Sequence, residues 1–194
     1  LSWRQVIDFT QQVCAGLDHA HSQGVIHRDI KPGNLLLTRA GKVKLADFGL
    51  ALVAAETRLT SAGKPLGSIH YMAPEQIQGK PPLSNRTDLY ALGCVMFELL
   101  TGRPPFGGAA MAEVLQQHIK QAPPRVSTLA RDCPPDLEEI VTDLLNKSPA
   151  ERPASAAEVA QRLQVERGSE VLRVQRLNLA DGAPSARFSR WTRS

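Results

Sequence analysis

The spacing of apolar residues at the start of the chain predicts a long amphipathic helix. Residues 2–5 read SWRQ, the S-x-x-Q form of a capping box, in which two side chains satisfy backbone N–H groups at a helix start. The apolar residues at roughly helical spacing are Val6, Val13, Leu17 and Ala20. Gly24 is a stop signal, so we expect the helix to end near Ser22.

A later apolar segment predicts a helix that is buried on all sides. The run LYALGCVMFELLT follows Asp88, and Gly102 and Pro104 come just after it, which are start and stop signals for a helix. Apolar residues occupy every face, so we expect this helix in the core. A membrane span is rejected because the segment is too short and carries Glu98. Asp88 is a candidate N-cap.

A change to alternating spacing predicts a short β-hairpin after Asn34. The sequence there reads LLLT, then RAG, then KVKLA: an apolar run, a turn signal and an alternating run. If the turn is centred between Ala40 and Gly41, the residue numbers of each cross-strand pair sum to 81. Asn34 would then face Asp47 at the open end of the hairpin.

The remaining patterns are those of surface helices and loops. Residues 109–119, 136–147 and 155–165 have amphipathic spacing, whereas residues 50–67 are polar, rich in hydroxyl groups and without periodicity. We expect residues 50–67 to form a mobile loop. Together the patterns predict a mainly α fold with one small β-hairpin.

The net charge of +4 is concentrated near the C-terminus. Residues 165–194 contain six Arg and three acidic residues, which leaves only +1 for residues 1–164. The later segment also has the Ser, Gly, Ala and Pro content of a linker. We therefore expect a folded domain over residues 1–164, a basic polar tail or juxtamembrane linker over residues 165–194, and no nucleic-acid partner.

The cysteine and histidine residues favour a reducing compartment over a metal site. The three cysteines, Cys14, Cys94 and Cys133, lie far apart without metal-binding spacing, and the five histidines form no ligand set. Reduced structural thiols are favoured over disulfides. We therefore expect a cytoplasmic protein.

Candidate chemistry lies on both sides of the predicted hairpin. The motif HRDIKPGN occupies residues 27–34, and the motif DFG begins at Asp47, thirteen residues after Asn34. These motifs supply an acid at Asp29, a cation at Lys31 and two further oxygen ligands. Carboxylate and amide oxygens suit Mg²⁺, which is usually held by one or two protein groups together with substrate phosphates.

These motifs resemble the catalytic loop and the metal loop of the eukaryotic-type, or Hanks-type, serine/threonine protein kinases. The resemblance implies the C-terminal lobe of that fold and transfer of the ATP γ-phosphate to Ser or Thr hydroxyls of protein substrates. Asp29 would accept the hydroxyl proton, and Lys31 would lie against the γ-phosphate. Asn34 and Asp47 would hold Mg²⁺ ions bridging the ATP phosphates. The implied cofactors are ATP and Mg²⁺.

The same resemblance implies structural roles around the catalytic loop. His27 would pack beneath Phe48, which Gly49 follows in the DFG motif, and would not act as a base. Asp88 would accept hydrogen bonds from the backbone of the catalytic loop. This role is compatible with its being an N-cap.

Residues 67–75, GSIHYMAPE, resemble the end of a kinase activation segment. Ser68 matches the hydroxyl residue that bridges the catalytic aspartate and its neighbouring lysine. Glu75 would pair with Arg152 near the end of the domain. A buried pair of this kind fixes geometry more than it adds stability.

The resemblance also suggests regulation by phosphorylation. Arg28 matches an arginine that contacts an activation-loop phosphate in many kinases. Phosphate on Thr57, Thr60 or Ser61 would add charge and acceptors that Arg28 binds, which would order the loop. The alternative is that these are solvated hydroxyls without a regulatory use.

Two kinase features do not occur in these 194 residues: the Gly-rich strand-loop-strand and the VAIK-type lysine. We therefore expect a chain without the N-lobe, which binds ATP weakly and transfers phosphate poorly by itself. The sequence of this chain resembles bacterial members of the family. This chain contains no predicted transmembrane segment, and anchoring of the parent protein to the inner face of a membrane is left open.

Three functions are compatible with these features. The first is an active serine/threonine protein kinase, and the second is a pseudokinase or scaffold that only binds partners. The second is disfavoured because Asp29, Lys31, Asn34 and Asp47 are all present. The third is a small-molecule phosphotransferase, which the long hydroxyl-rich segment between the DFG and APE motifs disfavours.

Overall fold

Helices make up most of the described chain, together with one two-stranded antiparallel sheet. The computed structural model describes residues 1–48, 66–166 and 168. The strands are β1 (Leu35–Leu37) and β2 (Val43–Leu45). The helices are α1 (Trp3–Ser22), α2 (Pro74–Gln78), α3 (Asn85–Thr101), α4 (Met111–Lys120), α5 (Pro135–Leu144) and α6 (residues 156–166). The predicted combination of helices with one hairpin is confirmed.

Helix α1 begins at the predicted capping box. The Gln5 backbone N–H donates to the Ser2 hydroxyl at 3.3 Å, and the Gln5 side chain accepts from the Ser2 backbone N–H at 2.9 Å. These reciprocal bonds satisfy two N–H groups that a helix start leaves without partners. The helix ends at Ser22, as predicted.

Helix α3 is the buried helix predicted from the sequence, but it begins before Asp88. Its N-cap is Ser84, whose hydroxyl accepts from the Arg86 backbone N–H at 3.3 Å. The prediction that Asp88 caps this helix is therefore wrong. The apolar run marks the part of α3 that lies in the core. The polar residues of the first turn form hydrogen bonds with the cap and with other segments. Every residue from Thr87 to Phe97 is buried.

The hairpin forms with a register that differs by one residue from the predicted one. Leu35 pairs with Leu45, so paired positions sum to 80 rather than 81. The loop has three residues and ends at Gly41, which adopts a φ of 72° that favours glycine. Asp47 therefore lies one residue beyond the position paired with Asn34, and the predicted direct pairing of these residues is wrong.

Helix α3 forms the centre of the hydrophobic core and packs against both α1 and α5. The approach to α5 is close at Gly93, where a Cβ atom would lie 2.8 Å from the Cβ of Leu144. The largest core side chains include Ile7, Leu17, Tyr90, Leu92, Met96, Phe97, Leu137 and Leu144. An element packed this densely on several sides is a rigid support for attached loops.

The three cysteines, Cys14, Cys94 and Cys133, are free and buried. Burial is the main cause that raises the pKa of the Cys14 thiol to about 12, with a further contribution from Asp18. A buried thiol of this kind is a packing group rather than a nucleophile.

A buried ion pair joins α2 to the segment that follows α5. Arg152 donates from its two terminal nitrogens to the two carboxylate oxygens of Glu75, at 2.7 and 2.9 Å, and both side chains are at most 1% exposed. The Thr87 hydroxyl also donates to Glu75 at 2.9 Å. Burial would raise the pKa of the Glu75 carboxyl, but hydrogen bonding and attraction to Arg152 hold that pKa below its ordinary value of 4.5.

Replacing Arg152 with leucine should destabilise the fold by about 3–5 kcal/mol at neutral pH, because Glu75 would keep a buried charge without its cation. Burial would then dominate and raise the pKa of Glu75, so the loss should shrink as the pH falls from about 7 to about 5. In the unaltered protein the pair stabilises fully above pH 4.5, and this stabilisation is lost as the pH falls below that value. Chemical denaturation at several pH values measures both effects.

Arg162→Leu is the matched control. Arg162 donates to Asp143 at 2.7 Å, but these side chains are 30% and 33% exposed. Loss of such a surface pair should cost about 1 kcal/mol or less. Equal losses for the two variants, or a loss at Arg152 that does not change with pH, would contradict the assignment.

Candidate functional site

The carboxylate of Asp88 holds the loop that precedes β1. Its two oxygens accept hydrogen bonds from the backbone N–H groups of His27, at 2.8 Å, and Arg28, at 2.7 Å. The ring Nε2 of His21, in the last turn of α1, lies 2.8 Å from Oδ2 of the same carboxylate. The Asp88 side chain is fully buried, so these bonds attach the loop to the core.

Two residues of the site adopt left-handed backbone conformations that glycine accepts more readily. Arg28 has a φ of 66° and Asp47 a φ of 63°. Such conformations cost about 1–3 kcal/mol and persist where surrounding contacts determine them. At Arg28, Asp88 accepts from the N–H group, while the Gln76 side-chain amide donates to the C=O group at 2.9 Å. The loop is therefore held in one preformed conformation.

Asp29, Lys31, Asn34 and Ser68 form one hydrogen-bonded cluster. The Lys31 ammonium donates to Asp29 Oδ2 at 2.7 Å and to the Ser68 hydroxyl at 2.8 Å. The Asn34 side-chain N–H₂ donates to the same Asp29 oxygen at 3.0 Å and to the Asp29 backbone carbonyl at 2.8 Å. Lys31 is thus the bridging residue, whereas the resemblance assigned that position to Ser68.

The geometry of this cluster makes the two oxygens of the Asp29 carboxylate unequal. Both hydrogen bonds from Lys31 and Asn34 go to Oδ2, so Oδ1 is the oxygen left for a further donor. The Asp29 side chain is 41% exposed, which allows an external group to approach it. The site therefore presents an oriented carboxylate beside a fixed positive charge.

His27 is buried and has a structural environment. Its Nε2 atom lies 2.8 Å from the Ala46 carbonyl, which can only accept, so Nε2 carries the proton. Its ring packs against Phe48 with 4.6 Å between centroids. This is the packing that the resemblance implied for these two residues.

The oxygen atoms near the hairpin fit a hard divalent cation. Both contacts of the Asn34 N–H₂ group are oxygen acceptors on Asp29, which determines the orientation of the amide and turns its Oδ1 away from Asp29. Asp47 adds a carboxylate on a backbone held at a positive φ. Amide and carboxylate oxygens are the protein ligands that Mg²⁺ accepts alongside phosphate oxygens. Within the described residues, no group of three or more His, Cys, Asp or Glu side chains has the arrangement of a complete metal site.

Some predicted residues lie outside the described part of the chain. They are Gly49, Thr57, Thr60 and Ser61.

Two further residues that contact the loop were not predicted from the sequence. His21 bears no motif of its own, and only its position in the last turn of α1 brings it to Asp88. Gln76 had a weak signal, since it is the third residue of α2 and can cap that helix through its side chain.

The comparisons with known proteins identify relatives along most of the chain. The model of the protein kinase domain matches residues 1–163. Serine/threonine-protein kinase PknB of Mycolicibacterium smegmatis is 37% identical over 158 residues, which cover 80% of this chain and 25% of that protein. Serine/threonine-protein kinase PknJ of Mycobacterium tuberculosis is 43% identical over 155 residues, covering 77% of this chain and 26% of that protein.

The chain spans about a quarter of the length of these curated relatives. A model of the UTRA domain also matches residues 145–194, and this match overlaps the kinase match. In the overlap, Arg152 pairs with Glu75, and Val159 and Leu163 are fully buried in the common core. These contacts make the overlapping residues part of the same folded unit as the loop and hairpin.

The expected similarity to bacterial kinases is confirmed by these relatives. The kinase match extends from α1 to α6 and includes the loop, the hairpin and the Glu75–Arg152 pair. The chain belongs to the protein kinase family and resembles its bacterial serine/threonine-protein kinases.

Proposed function

We propose that the protein containing this chain transfers the γ-phosphate of ATP to Ser or Thr hydroxyls of protein substrates. In this proposal, residues 1–164 form the C-terminal lobe of the kinase domain. The observation that carries it is the Asp29 carboxylate, whose Oδ2 is held by Lys31 and Asn34. The relatives are named serine/threonine-protein kinases, and these names support the same class of reaction.

The proposed roles follow from the geometry of the cluster. Asp29 accepts the proton of the substrate hydroxyl at Oδ1, because Oδ2 already accepts from Lys31 and Asn34. Lys31 keeps the carboxylate oriented and places a positive charge beside it, where negative charge on a transferring phosphoryl group would be stabilised. Ser68 holds the other side of the Lys31 ammonium.

Asn34 and Asp47 are the residues that would hold Mg²⁺ and, through it, the phosphates of ATP. When bound, ATP would supply the phosphoryl group, and Mg²⁺ would neutralise its charge. The contribution of this chain is to orient the amide of Asn34 against Asp29 and to supply the carboxylate of Asp47 at the end of the hairpin. The bonds from Asn34 to Asp29 connect the proposed metal ligand directly to the proposed base.

The proposal also includes the cellular location of the parent protein. We expect a cytoplasmic catalytic domain, with residues 165–194 as a basic tail or juxtamembrane linker to an anchor at the inner face of a membrane. Among the helices in the described ranges, none has the length and hydrophobicity to cross a bilayer. The expected weak activity of residues 1–194 by themselves stays a prediction, so activity assays use the parent protein.

Replacing Asp29 with asparagine should lower kcat by about 10²–10⁴-fold, because the side chain keeps its size but loses the general base. The KM for ATP should stay unchanged, since Asn34 and Asp47 are retained. Steady-state transfer from ATP to Ser- and Thr-containing peptides measures both parameters. Asp132→Asn, at an exposed turn residue, is the matched control. Unchanged kcat in the Asp29 variant would contradict the proposed base.

Replacing Asp47 with asparagine should raise the Mg²⁺ concentration needed for half-maximal activity by about tenfold or more, because a charged oxygen ligand is lost. Asparagine tolerates the left-handed conformation observed at this position, so the backbone should be retained. Titration with Mg²⁺ and direct calorimetry with Mn²⁺ measure the change. A metal dependence identical to that of the Asp132→Asn control would contradict the assignment.

A variant in which Thr57, Thr60 and Ser61 are all replaced with alanine cannot be phosphorylated at these positions. Its activity should be lower than that of the phosphorylated unaltered protein and close to that of the unphosphorylated protein. The reason is that Arg28 would lose a phosphate partner. Within the described residues, the Nε atom of Arg28 is buried without a hydrogen-bond partner. Mass spectrometry locates the phosphate, and peptide assays measure the activity. Equal activity of the triple variant and the phosphorylated unaltered protein would contradict this regulation.

A further inference from the structure

The side-chain amide of Gln76 connects two parts of the site that are far apart in sequence. Its Nε2 group donates to the backbone carbonyl of Arg28 at 2.9 Å, and its Oε1 atom accepts from the backbone N–H of Ala73 at 2.9 Å. One partner can only accept and the other can only donate, so together they determine the orientation of the amide. Gln76 therefore serves both the start of α2 and the proposed catalytic loop.

The carbonyl that Gln76 contacts belongs to the peptide group between Arg28 and Asp29. The peptide group on the other side of Arg28 is held by Asp88, which accepts from the Arg28 N–H at 2.7 Å. With both peptide groups bonded, the backbone of Arg28 is kept at its positive φ of 66°. Rotation of the Arg28–Asp29 peptide would move the Asp29 side chain away from its partners.

Gln76 is itself held in place by its neighbour in α2. Glu75 accepts hydrogen bonds from Arg152 and Thr87, and all three side chains are buried. The helix that carries Gln76 is thus attached to the core. Because the helix is anchored, the Gln76 side chain has little freedom to move. It can therefore hold the loop in one position.

We propose that Gln76 is a positioning residue for phosphoryl transfer: it fixes the Arg28–Asp29 peptide and so couples the end of the activation segment to the proposed base. This inference rests on the proposed function, in which Asp29 is the base. Gln76 acts through the backbone and need not touch the substrate or the nucleotide.

The substitution Gln76→Glu separates the two hydrogen bonds of this side chain. A glutamate keeps an oxygen for the Ala73 N–H, and its negative charge suits a helix start. It has no N–H group for the Arg28 carbonyl, and a carboxylate oxygen would face that carbonyl oxygen instead. Gln76→Ala removes both bonds, and its additional loss of thermal stability relative to Gln76→Glu measures the cap. The matched control is Gln5→Glu, since Gln5 occupies the same position in the exposed capping box of α1.

The first measurement is backbone amide exchange in the chain of residues 1–194 without ligands, followed by NMR. The Asp29 amide belongs to the peptide group that Gln76 holds, so Gln76→Glu should speed its exchange by about fivefold while Gln5→Glu leaves it unchanged. The melting temperature of Gln76→Glu should fall less than that of Gln76→Ala, because the bond from the Ala73 N–H is kept. Equal Asp29 exchange rates in the two glutamate variants would overturn the inference.

The second measurement is steady-state transfer by the parent protein. Gln76→Glu should lower kcat by about tenfold with a smaller effect on the KM for ATP, because Gln76 contacts the peptide of the base and not the proposed metal ligands. Gln5→Glu should keep the unaltered kcat. An unchanged kcat in Gln76→Glu would overturn the positioning role. A parent protein that transfers no phosphate to peptides would overturn the proposed function, while the exchange rates would still decide whether Gln76 holds the loop.

Discussion

The hydrogen bonds from two consecutive backbone amides to the Asp88 carboxylate determine the arrangement of the site. Asp88 lies in the fully buried part of α3, so the loop that carries Asp29 is attached to the most densely packed helix of the fold. A buried carboxylate is unfavourable unless its oxygens are satisfied. The amides of His27 and Arg28 donate to these oxygens in the observed conformation of the loop, and the His21 ring lies against one of them, so burial of the carboxylate favours this loop geometry.

Local patterns in the sequence predicted those features that depend on neighbouring residues. The capping box of Ser2 and Gln5, the end of α1 and the apolar run of α3 each depend on contacts within a few positions. The hairpin was predicted from the same kind of pattern, but its register was not. A three-residue loop with a left-handed glycine and a two-residue turn are both compatible with the letters RAG, and each gives a different pairing.

Contacts between distant segments could be predicted only where a family motif supplied them. The pairing of Glu75 with Arg152, 77 positions apart, entered through the resemblance and is present in the structure. The contact of His21 with Asp88 and that of Gln76 with Arg28 belong to no motif, and they join elements whose packing the sequence does not state. The positive φ of Arg28 is likewise a result of bonds from two separate helices and not a preference of arginine.

The first turn of α3 connects these separate contacts into one unit. Arg86 accepts from Arg152 through its carbonyl, Thr87 donates to Glu75, and Asp88 accepts from the Arg28 N–H in the loop before β1. Three consecutive residues thus contact the Glu75–Arg152 pair, α2 and the loop before β1. The Gln76 bond between α2 and the loop closes this set of contacts. A shift of α2 must therefore strain either its bonds to α3 or the Arg28–Asp29 peptide, which is why a change at α2 would reach the proposed base.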